Sequence, residues 1–152
     1  MERPVDLSPA TACGDLAIRR ASRAVSQHYD QALRSTGLRN SQFGLLVALD
    51  QGGETPLGAL AERLRMDRTT LARNVTVLES RGLVASRAPE SDRRSRLLRP
   101  TPAGRDAAAA AFPLWQGAQA ELAELVGGAE LEALVAEADG LVDTLDGAPE
   151  PG

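Results

Sequence analysis

The segment ESDRRSRLLRP, residues 90–100, places four arginines within seven positions: Arg93, Arg94, Arg96 and Arg99. Guanidinium groups bind phosphate oxygens through charge-assisted hydrogen bonds, and they are attracted to the negative potential of a narrow minor groove. The chain as a whole carries a formal net charge of −4, so a generally basic composition does not explain the cluster. The segment therefore predicts binding of a polyanion, with a solvated charged surface as the alternative.

Charge is unevenly divided along the chain. All seventeen basic residues are arginines, and eleven of them lie in residues 63–105 beside four acids, a net charge of +7. Residues 106–152 hold ten acids and no arginine. Because one sign of charge is concentrated in the middle of the chain, the polyanionic partner is expected to bind there and not at the acidic C-terminal segment.

The segment DRTTLARNVTVLESRG predicts a helix that Asp67 caps and Gly82 ends. Leu71, Val75 and Leu78 recur at helical spacing and are the expected buried stripe. Short, basic or amide side chains share the rest of this helix: Arg68, Thr69, Thr70, Arg73, Asn74 and Thr76. Short side chains permit close approach to a major groove, and arginine or asparagine can pair with base edges. The helix is thus a candidate recognition helix, although such a face can also be plain solvent surface.

Two short strands are predicted next, LVASRA at 83–88 and RSRLLR at 94–99, joined by a polar loop. Side chains alternate along a strand, so Arg94 and Arg96 are expected on one face, where they can reach a phosphate backbone or minor groove. A carboxylate at Asp92 can hold a neighbouring guanidinium in a fixed orientation. The candidate contacts of this hairpin, or wing, are Asp92, Arg93, Arg94 and Arg96.

The elements that must position these groups are mostly helices. Apolar spacing predicts a first helix over residues 16–33, a second from Ser41 to Asp50, and a third that begins at Thr55 with Pro56 at its first position. Helix, tight link, helix and hairpin make a winged helix-turn-helix. The predicted fold class is therefore mainly α with a small β-hairpin wing.

The C-terminal segment predicts two further amphipathic helices. Thr101 can cap the first, and the second follows Gly127 and Gly128. Their apolar stripes are wider than one helical hairpin could bury, so a partner subunit is expected to cover them. Packing against the first helix of the same chain is the alternative.

The sequence resembles the MarR-type (multiple-antibiotic-resistance) family of transcriptional regulators. Three segments carry the resemblance: LRSTGLRNSQFGLL (33–46), LGALAERLRMDRTTLARNVTVLESRGLV (57–84) and SDRRSRLLRPTPAGRDA (91–107). Asp92 and Arg94 match the family's wing pattern, and Thr101 and Gly104 match its junction between strand and helix. Pro100 departs from the family's usual apolar residue and is expected to shorten the second wing strand.

The resemblance implies one MarR-like domain over residues 1–152, with dimerisation helices at 12–36 and 102–146 around a winged helix-turn-helix at 38–100. It also implies a sequence-specific transcriptional regulator that binds double-stranded DNA as a homodimer. By the same resemblance, the expected protein is a ligand-responsive repressor that recognises a pseudo-palindromic operator and works in the cytoplasm.

The family commonly responds to aromatic or phenolic effectors that enter a cleft beside the winged domain. The candidate lining residues here are His28, Tyr29, Phe43 and Trp115, with ordinary core packing as the alternative. Thiol-based redox sensing through Cys13 is a second alternative, although the family's sensing position aligns nearer Asp15. A winged-helix module that binds protein instead of DNA is a third.

Other classes of function lack the residues that they need. His28 is the only histidine and Cys13 the only cysteine, so no catalytic site, metal site or cofactor is expected. No apolar run reaches the roughly 18 residues that span a bilayer, and the N-terminus lacks the order of a signal peptide. We therefore expect neither an enzyme nor a membrane protein.

Overall fold

The computed structural model of the protein describes residues 11–89 and 95–147. These residues form six α-helices, a 3₁₀ turn at Arg34–Thr36 and one three-stranded sheet. The helices are α1 (Gly14–Ala32), α2 (Asn40–Gly52), α3 (Leu57–Arg63), α4 (Arg68–Ser80), α5 (Pro102–Val126) and α6 (Gly128–Asp146). The strands are β1 (Thr55–Pro56), β2 (Val84–Arg87) and β3 (Leu97–Pro100). The predicted mainly helical winged helix-turn-helix fold is confirmed.

The chain divides into two compact units, the first ending at Trp115 and the second beginning at Gln116. The first unit holds α1 to α4, the sheet and the N-terminal part of α5. The second holds the remainder of α5 and all of α6. In the described residues, no helix combines the length and the apolar character that crossing a membrane requires.

The core of the first unit lies between α2, α3, α4 and the sheet. Its fully buried side chains are mostly leucines: Leu33, Leu45, Leu46, Leu49, Leu60, Leu71, Val75, Leu78, Leu98 and Pro100. Burial of one such leucine contributes roughly 1.5–3 kcal/mol. Leu71, Val75 and Leu78 are all buried, which confirms the predicted stripe of α4 and determines which face of that helix points outward.

The start of α2 differs from the prediction. The helix begins at Asn40, and its capping partner is not Ser41 but a residue of α1, since Asp30 Oδ1 accepts a hydrogen bond of 2.7 Å from the Asn40 amide. The Gln42 side chain accepts another, of 3.1 Å, from the Arg39 amide. A carboxylate supplied by a neighbouring helix satisfies the free amide as well as a local cap would.

The sheet contains a strand that the sequence did not predict. Its order is β1-β3-β2, and Thr55 and Pro56 form β1 instead of opening α3, which begins at Leu57. Both neighbours of β3 are antiparallel to it, with Thr55 opposite Leu98 on one side. The wing is therefore a hairpin whose central strand is also held by the segment that precedes α3.

The expected shortening of β3 by Pro100 is wrong. Pro100 is the last residue of β3 and lies opposite Val84. The next pair along, Leu83 and Thr101, is joined by a hydrogen bond from the Thr101 amide to the Leu83 carbonyl at 3.1 Å. Hydrogen-bonded pairs alternate with non-bonded ones, so position 100 needs no donor toward β2. On the other side of β3, the pairing with β1 extends only as far as Leu98, opposite Thr55.

A close junction ties α5 to the wing. Thr101 Oγ1 donates to the Gly82 carbonyl at 2.6 Å and accepts from the Gly104 amide at 3.0 Å, which confirms Thr101 as the cap of α5. Gly104 packs so closely against the residue before β2 that a side-chain Cβ there would overlap the carbonyl oxygen of Leu83. Only glycine fits this contact without movement of the backbone.

The apolar stripes of the second unit are exposed in the single chain. Exposed large side chains there are Leu125, Val126, Leu134, Val135, Leu141, Val142 and Leu145. On α1, Leu16, Ile18 and Val25 are exposed as well. These are the faces that the sequence predicts to be covered by a partner subunit.

We expect Gly104→Ala to lower the free energy of unfolding by about 1–3 kcal/mol, because the added methyl must displace the Leu83 carbonyl. Gly44→Ala, in the interior of α2 with nothing within 4 Å of the added atom, is the control. That variant should gain about 0.5–1 kcal/mol from helix propensity. Urea denaturation followed by circular dichroism measures both, and equal stability of the two variants would contradict the assigned contact.

Candidate nucleic-acid interface

The link between α3 and α4 is short because the first residues after α3 form hydrogen bonds back to that helix. The amides of Leu64, Arg65 and Met66 donate to carbonyls of α3 at 3.0, 3.1 and 3.0 Å. Arg65 adopts a left-handed conformation with φ of 50°, the conformation that commonly ends helices. The chain therefore reverses within four residues and α4 starts at once, with Asp67 Oδ1 accepting the Thr70 amide at 2.8 Å.

The outward face of α4 carries most of the predicted recognition residues. Five of them are exposed: Arg68, Thr69, Thr70, Arg73 and Thr76. Asn74 is half-buried at the edge of this face, where its side-chain amide donates to the Thr70 carbonyl at 3.3 Å. Thr76 Oγ1 donates to the Ala72 carbonyl at 2.9 Å. The face thus presents hydroxyl oxygens as acceptors around the guanidinium of Arg73.

The charges at the start of α4 are arranged to leave these arginines available. Asp67 is held ionised because hydrogen bonds from the Thr70 hydroxyl and amide lower the pKa of its carboxyl. Its charge acts on Arg73 at a distance, but no ion pair within residues 11–89 and 95–147 engages Arg73 or Arg68. Among the described residues, neither guanidinium group would have to leave an ion pair in order to bind an incoming anion.

The wing arginines fall into different environments. Asp92, Arg93 and Arg94 lie outside the described residues, so the shared face of Arg94 and Arg96 stays a prediction. Arg96 precedes β3, which begins at Leu97 and not at 94, and its Nη2 donates to Glu79 Oε2 at 2.7 Å and to Ser86 Oγ at 3.3 Å. Its charge is already matched by a carboxylate.

A second pair lies at the other side of the hairpin. Arg87 donates to both carboxylate oxygens of Glu54, at 2.9 and 2.6 Å. The hydrogen bond from Arg87 is the main reason that the pKa of Glu54 lies below its usual value. Arg99, in contrast, is exposed on β3. The sequence did not predict Glu54 or Glu79 as partners because each lies far along the chain from its arginine, and no local pattern marks them.

Glu79 is the more enclosed of the two acids. Burial opposes its ionisation, but hydrogen bonds from Ser86 and Arg96 outweigh this and hold the pKa of the Glu79 carboxyl below its usual value. The carboxylate is therefore charged at neutral pH, and the pair with Arg96 is a full ion pair. Its contribution is present above the ordinary range of glutamate titration and is lost as the pH falls through the lowered pKa.

The four candidate effector residues lie together. The Trp115 ring has its centroid 6.2 Å from that of Tyr29 and 6.0 Å from that of Phe43, while His28 lies edge-on to Tyr29 at 5.6 Å. Tyr29 and Phe43 are buried, and burial raises the pKa of the Tyr29 hydroxyl. Phe112, which was not predicted, stacks on Trp115 at 6.1 Å. These rings form one aromatic cluster between α1, α2 and α5.

Beside this cluster lies a cavity of about 320 Å³ between α2 and α5. Its wall is apolar on one side, formed by Phe43, Val47 and Phe112. On the other side lies an exposed ion pair in which Arg105 Nε donates to Asp50 Oδ1 at 2.7 Å. An apolar wall facing a guanidinium suits a small aromatic anion. Cys13, the residue of the redox alternative, is exposed at the start of α1.

Residues 36–95 match the sequence profile of the MarR family. No curated protein sequence matches the chain. Among solved structures, the transcriptional regulator MosR of M. tuberculosis, crystallised in complex with DNA, is 36% identical, with 88% of this chain and 96% of that chain covered and a TM-score of 0.79. The transcriptional repressor CouR, crystallised on a 23-mer DNA duplex, is 26% identical, with 92% and 99% covered and a TM-score of 0.76.

A further structure shares the fold at lower identity. BpsR of Bordetella bronchiseptica is 23% identical, with 93% of this chain and 99% of that chain covered and a TM-score of 0.76. The likeness to MosR extends over most of both chains. By its sequence and its fold, this chain belongs to the MarR family of winged helix-turn-helix proteins.

Proposed function

We propose that the chain is a sequence-specific DNA-binding transcriptional regulator that represses its targets as a homodimer. The observation that carries this proposal is the outward face of α4, where threonines and Arg73 stand opposite a fully buried stripe. Such a face can enter a major groove while the buried side keeps the helix in place. MosR and CouR, which share the family, were both crystallised with DNA.

In the proposed complex with DNA, α4 and the wing contact different parts of the duplex. α4 lies in the major groove with Arg73 at the base edges and the threonine hydroxyls near the backbone. The wing contacts the flanking phosphates or minor groove through Arg93 and Arg94, with Asp92 as the orienting carboxylate. Base contacts then decide the sequence, and phosphate contacts decide the register.

The homodimer is supported by exposed apolar surface. Residues 12–36 and 102–146, the proposed dimerisation segments, contain apolar side chains that are exposed in the single chain, among them Leu125 at 78%. Monomeric proteins rarely expose extended apolar faces of this kind. A second copy would cover these faces. It would also relate two copies of the winged segment 38–100 by a two-fold axis, as a pseudo-palindromic site requires.

The cavity between α2 and α5 is the proposed effector site. Phe43 and Phe112 offer faces for an aromatic ring, and the carboxylate of the ligand would replace Asp50 in the exposed pair with Arg105. His28, Tyr29 and Trp115 support this wall from the adjoining cluster. In BpsR, DNA binding is regulated by 6-hydroxynicotinic acid, which is an aromatic acid of this type.

Selection of bound fragments from random duplex DNA by the purified protein tests the proposed function directly. We expect recovery of a two-fold-symmetric motif whose half-sites lie about one helical turn apart. Absence of enrichment over bulk DNA would favour a winged-helix module that binds protein.

We expect Arg73→Ala to weaken binding to the preferred site by about 1–3 kcal/mol and to relax its sequence preference. Arg19→Ala is the matched control, since Arg19 is an exposed arginine of α1 paired with Asp15 and its loss removes the same charge elsewhere. Fluorescence anisotropy with the preferred site and a scrambled duplex measures both variants. Equal losses in the two variants would show that net charge, not a base contact, is responsible.

Arg94→Ala should weaken binding to all sequences alike and reduce the slope of log K against log salt by about 1, since one phosphate contact is lost. Titrations at several salt concentrations measure the slope. An unchanged slope together with an altered sequence preference would place Arg94 at a base and not at a phosphate.

A small aromatic carboxylate such as salicylate should quench Trp115 fluorescence and release DNA over the same concentration range. Trp115 is the only tryptophan, so the signal reports on the aromatic cluster alone. Arg105→Gln should weaken both responses about tenfold, the usual loss when a charge-assisted hydrogen bond is removed. Quenching without DNA release would show that a ligand bound in the cavity does not regulate DNA binding.

A further inference from the structure

The arginines of the winged segment are not equivalent, although the sequence presents them as one cluster. Arg73 on α4 has no ion pair in the described part of the chain, whereas Arg96 is held by Glu79 at 2.7 Å. A guanidinium that already has a carboxylate partner adds little net charge to a phosphate-binding surface. The function of Arg96 therefore depends on the segments that its side chain connects.

One guanidinium joins three segments at this point. Glu79 lies in the last turn of α4, Ser86 lies on β2, and Arg96 stands immediately before β3. Arg96 Nη2 reaches both Glu79 Oε2 and Ser86 Oγ, at 2.7 and 3.3 Å. The side chains of Arg96 and Glu79 are 40% and 25% exposed, so the pair is partly withdrawn from solvent. The contact thus connects the recognition helix to both arms of the wing.

Simple electrostatics gives no reason for an acid at this place. Glu79 is charged at neutral pH and belongs to the segment of net charge +7, where an unpaired carboxylate would repel phosphate. Paired with Arg96, it is neutral toward DNA and geometrically defined. The pair can therefore orient the segments that it joins, but it adds no net charge to the surface that faces DNA.

We propose that Glu79 and Arg96 are positioning residues that set the angle between α4 and the wing, and that Arg96 is not a phosphate contact. The inference rests on the proposed DNA-binding function and adds a residue pair to it. α4 and the wing must meet different grooves of one duplex at the same time. Each strand residue adds about 3.3 Å, so an angular error at the root of the hairpin grows along its arms.

The structure supplies a matched control in the pair of Glu54 and Arg87. That pair has the same chemistry, with a distance of 2.6 Å, and also involves β2, but it connects the hairpin to the residue before β1 and not to α4. Removing the acid from either pair changes the net charge equally. Only loss of the Glu79 pair should change the relation between α4 and the wing.

The experiment compares Glu79→Gln, Arg96→Gln, the double variant and Glu54→Gln for binding to the preferred duplex and to a scrambled duplex over a salt series. We expect Glu79→Gln and Arg96→Gln each to lose about tenfold in specific affinity, with unchanged binding to the scrambled duplex and an unchanged salt slope. The double variant should be no weaker than either single one, and Glu54→Gln should stay within about twofold of the parent.

A variant in which the charges of Glu79 and Arg96 are exchanged provides a second test. Glu79→Arg combined with Arg96→Glu restores an ion pair of opposite direction and should recover part of the lost specific affinity, whereas Glu79→Arg alone should not. Thermal unfolding by circular dichroism identifies any variant that fails to fold. Should Arg96→Gln fail to fold, the near-isosteric Glu79→Gln and the exchange still test the pair.

Several results would contradict the positioning role. Tighter specific binding by Glu79→Gln, or a salt slope reduced by about 1 in Arg96→Gln, would make Arg96 a phosphate contact and overturn the positioning role. Failure of the parent protein to bind any duplex would overturn the proposed function and the positioning role together. Normal binding by the parent with variants indistinguishable from it would overturn the positioning role alone.

Discussion

The burial of one side of α4 is the constraint on which the rest of the structure depends. Leu71, Val75 and Leu78 occupy the centre of the core, and each would lose roughly 1.5–3 kcal/mol on exposure. Rotation of the helix is therefore costly, and the face that carries Arg73 must point outward. A recognition surface needs this kind of support, because side chains read base edges only when the backbone behind them is held in place.

Contacts between distant segments extend this support to the wing and to α5. Thr101 bonds to the Gly82 carbonyl at 2.6 Å and caps α5 through the Gly104 amide. The carbonyl of Leu83 is occupied by the Thr101 amide and covered by the backbone at Gly104. The end of α4, the start of β2 and the start of α5 are thus joined by direct contacts into one packed unit.

Two acidic side chains limit how many arginines of the wing are available to an anion. Glu54 and Glu79 each bind one arginine, and these pairs reduce the charge presented to an anion while they hold the hairpin at two sides. Arg73, which has no ion pair among the described residues, is the proposed recognition contact. In a surface of this kind, the number of arginines overstates the charge that is available to phosphate, because Arg87 and Arg96 are already paired with carboxylates.

The sequence by itself determined the features that depend on near neighbours: the helical period of α4, its cap at Asp67, its end at Gly82 and the division of charge. Periodicity and capping act over a few residues, so a linear reading captures them. Only the tertiary structure decided that Glu79 binds Arg96, seventeen residues away, that Asp30 caps α2, and that the segment before α3 is a strand. These contacts join residues that packing alone brings together, and no local pattern distinguishes the right partner from the many other acids and arginines of the chain.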